Sequence, residues 1–232
     1  AQELSRQNDW SSAKAILENC IENSKDLEAN IYLQSKHSLL MLSPLLQQPF
    51  AVDTALPEIK ANLQQILERI KTNTPILQEL SETIEAIVPA AHYESALTYY
   101  KLIGPASDYI VYALEYLKYA ENTHVLSNDL CLAALTATDL YNLTEIIQYF
   151  DLATPWLQEL VQAVADGNLQ GFDTLTQKYA TQIAQQPALV HNATIVREKL
   201  QLTALVHLVL SNPRQSIAFA DIAKITPHVE LL

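Results

Sequence analysis

The stretch His92-Tyr-Glu-Ser-Ala-Leu-Thr-Tyr-Tyr-Lys101 carries its apolar and aromatic side chains at spacings of three and four residues. This spacing is the period of an α-helix that buries one face. The same spacing recurs between the prolines of the 232-residue chain, as in a stripe of six aliphatic residues: Leu56, Ile59, Leu63, Ile66, Leu67 and Ile70. The sequence therefore predicts an all-α fold of about ten to twelve helices.

Glycine is scarce, with three in the whole chain: Gly104, Gly167 and Gly171. Strand-rich and nucleotide-binding folds rely on glycine for tight turns and close backbone approach, so we expect helices joined by short loops. Successive helices with short connections pack antiparallel, and a long series of them forms a solenoid. The stretch at 92–101 also has the aromatic and alanine spacing of tetratricopeptide (TPR) repeats. We therefore expect a right-handed, TPR-like helical-repeat solenoid.

Proline marks several helix boundaries, because it is tolerated in the first turn of a helix and breaks the interior. Three threonine–proline pairs predict capped helix starts: Thr74-Pro75, Thr154-Pro155 and Thr226-Pro227. Gly104-Pro105 predicts a helix end, and Gly167 is expected to end another helix.

The chain carries a formal net charge of −12, from 26 acidic and 14 basic residues. Residues 187–232 hold four basic residues beside three acidic ones: Arg197, Lys199, Arg214 and Lys224. A duplex-binding protein needs a clustered cationic face, which these four do not form, so we expect no nucleic-acid partner. Arg197 and Lys199 are expected to be solvated or ion-paired. No apolar run approaches the roughly 20 residues of a membrane span, so no membrane partner is expected.

The sequence indicates neither a metal site nor a catalytic site. No two of its six histidines lie one residue apart, and Cys20 and Cys131 flank no metal-ligand spacing. The glycine-rich motifs that cradle phosphates are missing as well. We therefore expect two buried, reduced thiols, no cofactor, no small-molecule substrate and no enzymatic activity.

Residues 213–232 predict the start of a winged helix. A short β-like piece at 216–219, with Phe219 in the core, leads into one helix, and Thr226 would cap a second one. The sequence stops at Leu232, before a wing could form, and its only methionine is Met41. We therefore expect a truncated winged helix in a chain that is a piece of a longer protein.

Four segments resemble the PCI-domain family, whose members occur in the proteasome lid, the signalosome and translation initiation factor three. The segments are the aromatic stretch at 92–104, the stretch 130–147, the stretch 156–175 with its Trp156-Leu and Gly167-Asn, and Val196-Arg-Glu-Lys-Leu-Gln-Leu202. Leu143-Thr144 stands where the family usually has Phe-Gly. The segments cover roughly residues 92–232 in the family's order, and the resemblance within the family is to a subunit of the proteasome lid. Trp156 and Phe172 are expected in the core.

The resemblance implies three regions: TPR-like repeats at 1–91, a PCI helical region at 92–212 and the start of a winged helix at 213–232. It implies a non-catalytic scaffold subunit of the lid of the 26S proteasome regulatory particle. Such a subunit would support lid assembly and ubiquitin-dependent protein degradation in the cytoplasm and nucleus. Its partners would be other PCI subunits of the lid, in a hetero-oligomer. The subunit interface is expected at six residues: Arg214, Gln215, Ser216, Ile217, Lys224 and His228.

Two other functions remain open from the sequence. A PCI subunit of the signalosome or of initiation factor three would share the fold and the assembly principle. A nucleic-acid adaptor could act through the helix-turn-helix, although its second helix offers His228 and Glu230 and no Arg or Lys before the chain stops.

Overall fold

The computed structural model describes residues 10–47, 55–80, 83–120, 124–141, 143–149, 153–212 and 216–225. Within these ranges the regular elements are α-helices and one short 3₁₀ helix (Leu45–Gln47), and no strand occurs, which confirms the predicted all-α fold. The thirteen α-helices of these ranges are α1 (Trp10–Asn23), α2 (Leu27–Leu42), α3 (Pro57–Glu79), α4 (Ile87–Ile103), α5 (Ala106–Leu117), α6 (His124–Thr136), α7 (Thr144–Ile147), α8 (Pro155–Ala165), α9 (Leu169–Lys178), α10 (Ala180–Ala184), α11 (Pro187–His191), α12 (Ala193–Ser211) and α13 (Phe219–Ile225).

The first of two compact units comprises residues 1–121. Its central helix is α4, which contains the stretch at 92–101 and packs against α2, α3 and α5. Tyr93 and Tyr100 of α4 are buried, and their rings stack on Tyr119 and Tyr112 with centroids 6.0 and 5.1 Å apart. Burying an aromatic side chain stabilises a fold by about 1.5–3 kcal/mol, so this aromatic helix contributes strongly to the unit.

The second compact unit comprises residues 122–232, and its central helix is α8. This helix packs against α6, α9 and α12. It buries five aliphatic side chains at helical spacing: Leu157, Leu160, Val161, Ala163 and Val164. Because α12 and α9 both pack against α8, the position of α8 determines where the exposed side chains of α12 lie.

The helix ends at Gly104 and Gly167 are confirmed. Gly104 directly follows α4, and Gly167 lies two residues after the end of α8. Both have a positive φ, 74° and 62°, where a side chain would be strained. The helix start at Pro155 is also confirmed, with the proline in the first turn of α8. Thr154 does not cap that helix, because its side-chain oxygen lies 3.2 Å from Asn128 Oδ1.

The helix start predicted at Thr74-Pro75 is wrong. Both residues lie inside α3, which runs from Pro57 through Pro75 to Glu79. The Thr74 hydroxyl faces Ile70 O at 2.7 Å instead of capping a helix start. The proline is accommodated because it lies close to the end of α3, where few turns remain to be disrupted. The helix start at Thr226-Pro227 falls outside the described residues.

Several predicted burial states are corrected. Phe219 begins α13 and is 69% exposed, so it is neither part of a β-like piece nor a core residue. Residues 216–218 have no regular secondary structure. Cys131 is buried as expected, whereas Cys20 is exposed. Trp156 and Phe172 are half-buried rather than fully enclosed.

The two compact units divide between 121 and 122, within the predicted helical region 92–212. The three predicted regions, the solenoid and the winged helix stay predictions.

Candidate interaction surface

The six residues predicted for the subunit interface are described in part. Ser216 is exposed and Ile217 is half-buried in the segment that precedes α13. Lys224 is exposed on α13, and its ammonium donates to Asp221 Oδ1 at 2.8 Å on the same helix. The pKa of Lys224 is raised by this hydrogen bond. The other three residues, Arg214, Gln215 and His228, lie outside the described residues.

Helix α12, to which α13 is attached, is apolar on two opposite faces. Val196, Leu200 and Ala204 recur every four residues and are buried against the rest of the second unit. A second stripe is exposed by 46–69%: Leu202, Val206, Val209 and Leu210. A helix that is apolar all round is usually one that neighbours enclose, so this exposed stripe marks α12 as a surface for association.

A groove of 690 Å³ runs beside the exposed stripe of α12. Its apolar wall is formed by Leu202 and Val206 of α12 together with Tyr141, Leu143 and Ile147. The groove is open on one side, and Tyr141 is half exposed at its edge. Ile147, Gln162 and Asp166 also line a neighbouring depression of 640 Å³ on the α9 side of α8, so the two depressions adjoin.

The polar rim of this groove is built by the end of α8. The chain turns there at Gly167, and the amides of Gly167 and Asn168 bond to Val164 O and Ala163 O, which ends the helix with a Schellman motif. His207 of α12 lies with Nδ1 2.9 Å from Asp166 O. Because a carbonyl oxygen only accepts, His207 Nδ1 carries a proton and donates it to Asp166 O.

Helix α12 is held in place by two basic residues that the sequence predicts to be solvated or ion-paired. Arg197 is ion-paired with Asp173 of α9, as expected. For Lys199 the prediction is wrong: its side chain is 2% exposed, and its ammonium donates to Ala134 O of α6 at 2.6 Å. Burial lowers the pKa of Lys199 to about 8, and the carboxylate of Asp139 opposes that shift.

Two buried histidines lie in the first unit and serve its packing. His92 is buried, and burial lowers its pKa to about 4. His37 lies with Nδ1 2.9 Å from Arg69 Nη1 and Nε2 3.5 Å from Glu18 Oε1. Burial and then the Arg69 charge lower the pKa of His37. These groups tie α1, α2 and α3 together.

The described part of the chain contains no cluster of three or more His, Cys, Asp or Glu side chains that could hold a metal ion. Within the same ranges, no helix combines the length and the apolarity needed to cross a membrane.

The exposed stripe of α12 is not among the features predicted from the sequence. Its signal is present in the segment Leu200-Gln-Leu-Thr-Ala-Leu-Val-His-Leu-Val-Leu210, which has more apolar residues than one buried face can use. Only the packing of the other face against α6 and α8 shows which of these residues stay uncovered.

The family described as PSD13 N-terminal repeats matches residues 2–162. The match includes residues 2–91, which lie in the region predicted from the sequence as TPR-like helical repeats. It also includes the first eight residues of α8, 155–162, and ends before the rim of the groove.

Three curated relatives are similar to the chain. It is 27% identical over 158 residues to the 26S proteasome non-ATPase regulatory subunit 13 of Dictyostelium discoideum, with 62% of this chain and 41% of the relative covered. It is 28% identical over 145 residues to the subunit 13 homolog A of Arabidopsis thaliana, covering 57% and 38%. It is 27% identical over 193 residues to the probable 26S proteasome regulatory subunit rpn9 of Schizosaccharomyces pombe, covering 75% and 49%.

The chain spans less than half the length of these relatives. These relatives are named as 26S proteasome regulatory subunits, which agrees with the sequence resemblance to a subunit of the proteasome lid. Because the family match extends over well more than half of the 232 residues, this chain belongs to the family of PSD13 N-terminal repeats.

Proposed function

We propose that this chain is part of a non-catalytic scaffold subunit of the lid of the 26S proteasome regulatory particle. The observation that carries the proposal is the family match over residues 2–162, together with relatives that are named 26S proteasome regulatory subunits. The subunit would act in the cytoplasm and nucleus, supporting lid assembly and ubiquitin-dependent protein degradation.

The proposed mechanism is geometric. A scaffold needs rigid helices and an uncovered apolar surface, and α12 offers such a surface at Leu202, Val206 and Leu210. Protein–protein interfaces place apolar side chains at their centre and polar groups at the rim, and the stripe beside Asp166 and His207 has that arrangement. The partners would be other PCI subunits of the lid.

We keep the three regions 1–91, 92–212 and 213–232 as part of this proposal, with the six interface residues in the last of them. Ser216, Ile217 and Lys224 lie on or just before α13, which packs on α12. A docking face at the predicted residues would therefore adjoin the exposed stripe of α12.

Affinity purification of the tagged full-length protein, followed by mass spectrometry, tests the proposal. We expect lid subunits of the proteasome to be recovered together. Recovery of signalosome or initiation factor three subunits in their place would contradict the lid assignment. A gel-shift assay that showed salt-sensitive duplex binding would favour the nucleic-acid adaptor.

A matched pair of variants tests the role of α12. Val206→Asp places a charge in the exposed stripe, and we expect it to reduce recovery of the partners. Val190→Asp is the control, because Val190 lies in the same compact unit, away from the groove, and is 51% exposed against 53% for Val206. Equal recovery with both variants would show that the stripe is not used in assembly.

A further inference from the structure

The groove between α8 and α12 has an apolar wall on one side and the carboxylate of Asp166 at its rim. We propose that the groove between α8 and α12 receives an amphipathic α-helix of a neighbouring subunit, whose apolar stripe covers Leu202 and Val206 and whose Arg or Lys side chain meets Asp166. The proposal deepens the proposed function and rests on it for the source of that helix.

The shape of the apolar wall favours a helix as the occupant. Leu202, Val206 and Val209 lie on one side of α12 and extend for about 10 Å along it, because an α-helix rises about 1.5 Å per residue. A partner helix presents apolar residues at the same spacing of three and four over two turns. The described residues offer no strand edge beside the groove, so an extended peptide would find no backbone to pair with.

The charges around the groove favour a basic residue on the partner helix. Glu159 and Asp166 line the groove or the adjoining depression, and Asp173 precedes the lining residue Thr174. Two of these three carboxylates already have a cationic partner. Glu159 accepts from Lys178 at 3.0 Å, and Asp173 is ion-paired with Arg197. The third carboxylate, Asp166, accepts from the neutral side chain of Gln162 at 2.9 Å, and within the described ranges no Lys or Arg is paired with it.

The surroundings of Asp166 strengthen its preference for a cation. The carboxylate lies at the C-terminal end of α8, where the helix dipole places partial negative charge. The ring of His207 lies beside this helix end, with Nδ1 2.9 Å from Asp166 O. A guanidinium, with several donors in one plane, matches a carboxylate better than a neutral side chain would.

Photo-crosslinking in the assembled particle tests the proposal. The photoreactive residue p-benzoylphenylalanine replaces Val206 in the full-length protein, the particle is purified and irradiated, and crosslinked peptides are mapped by mass spectrometry. We expect crosslinks to one helical segment of another subunit with apolar residues three or four apart and a flanking Arg or Lys. The same replacement at Val190 should give no crosslink to that segment.

Charge variants test the role of Asp166. We expect Asp166→Lys to lower the crosslink yield from Val206 by at least about fivefold, and the isosteric Asp166→Asn to lower it less, because repulsion adds to the lost attraction. Replacing the basic residue of the identified segment by Glu should restore the yield with Asp166→Lys. Circular dichroism and thermal unfolding establish that each variant is folded.

Three results would overturn the inference: crosslinks only within the chain's own subunit, crosslinks to a segment without a basic residue, or no crosslink from Val206 in a particle that contains the other lid subunits. In each case the proposed function stands, because the lid subunits are still recovered. Failure to recover lid subunits at all would overturn the proposed function and this inference with it.

Discussion

Lys199 of α12 is a buried cation that donates a hydrogen bond to the C-terminal end of α6. The last carbonyl groups of α6 have no amide partner in their own helix, and Ala134 O receives the Lys199 ammonium at 2.6 Å. A cation is favoured at the negative end of a helix, which offsets part of the cost of burying the charge. The remaining cost appears as the lowered pKa of about 8. Lys199 therefore fastens α12 to α6 and leaves the other face of α12 free.

His92 is a second buried polar residue, and its hydrogen bond fixes its protonation. Thr74 Oγ1 lies 2.7 Å from Ile70 O and 2.9 Å from His92 Nε2. Since the carbonyl only accepts, the hydroxyl proton of Thr74 goes to Ile70, and Oγ1 accepts the Nε2 proton of His92. The ring is uncharged and enclosed, which agrees with the pKa of about 4.

The buried His92 should make the free energy of unfolding depend on pH. Histidine in an unfolded chain has a pKa of about 6.5. Above that pH the ring of His92 is uncharged in the folded and in the unfolded protein, so its titration does not lower the free energy of unfolding. Between pH 6.5 and 4 the unfolded chain binds a proton that the folded protein rejects, so the free energy of unfolding falls as the pH falls, by about 3 kcal/mol at most. Urea unfolding at several pH values measures this slope.

The control for this dependence is His92→Gln, which cannot titrate. Its free energy of unfolding should fall less steeply between pH 6.5 and 4 than that of the native sequence. His37 has a lowered pKa as well, but it is present in both proteins and contributes equally to both slopes. Parallel curves for the two proteins would show that His92 is not protonated on unfolding in this range.

At the scale of elements, the junction of α8 with α12 depends on Gly167. The chain leaves α8 there with φ of 62°, and α12 passes so close that an added methyl group would lie 2.6 Å from Ala204 Cα. Ala204 is itself small and buried, which permits the approach. The groove exists in this form because these two small residues let the end of α8 contact the backbone of α12.

Gly167→Ala should lower the free energy of unfolding by about 3 kcal/mol, since the strain of a positive φ adds to a steric clash with a helix backbone. Gly104→Ala separates the two effects. Gly104 also has a positive φ, of 74°, but its added methyl would meet only Ala106 N, at 4.0 Å. We expect a smaller loss there, of about 1–2 kcal/mol from the backbone alone. Chemical denaturation of both variants measures the difference, and equal losses would show that α12 moves away freely.

Helix α3 shows how tertiary contacts change a local pattern. Thr74-Pro75 is a typical helix start, yet Thr74 lies inside α3, close to its end, and its hydroxyl contacts Ile70 and His92. Apolar residues before and after Pro75 are both covered by the fold, since Ile70 and Leu77 are both buried. Continuing the helix keeps both buried, which outweighs the hydrogen bond that the proline cannot make.

At the scale of the whole molecule, apolar surface is unevenly covered. In the first unit, three neighbouring helices pack against α4 and its aromatic side chains are buried. In the second unit, one side of α12, its longest described helix, stays exposed. Among the large apolar side chains described in the second unit, Leu210 and Phe219 are the most exposed, each by 69%. A chain with this surface should associate through the second unit when its partners are removed.

Leu210→Glu should therefore reduce self-association and the fluorescence of a hydrophobic dye, with the free energy of unfolding changed by less than about 0.5 kcal/mol, because the side chain is mostly in water already. Val190→Glu, at an exposed site on α11, is the matched control and should leave association unchanged. Analytical ultracentrifugation over a range of concentrations measures the effect. Unchanged association with Leu210→Glu would place the contact elsewhere.

The amino-acid sequence by itself determined the fold class, the ends of α4 and α8 and the family resemblance. These features depend on local terms: apolar spacing, the conformational freedom of Gly104 and Gly167, and proline in a first turn at Pro155. Such terms act within a few residues and can be inferred without knowing which helices meet.

Only the tertiary structure decided the rest. Lys199 is buried, Phe219 and Cys20 are exposed, and α3 continues through Pro75. Each of these outcomes depends on which distant parts of the chain pack against the residue and which do not. The same holds for the candidate surface, because α12 has apolar residues on two faces and the sequence does not say which face α6 and α8 will cover. The physical reason is that burial is a property of contacts between elements, whereas helix formation is governed mostly by each element's own pattern.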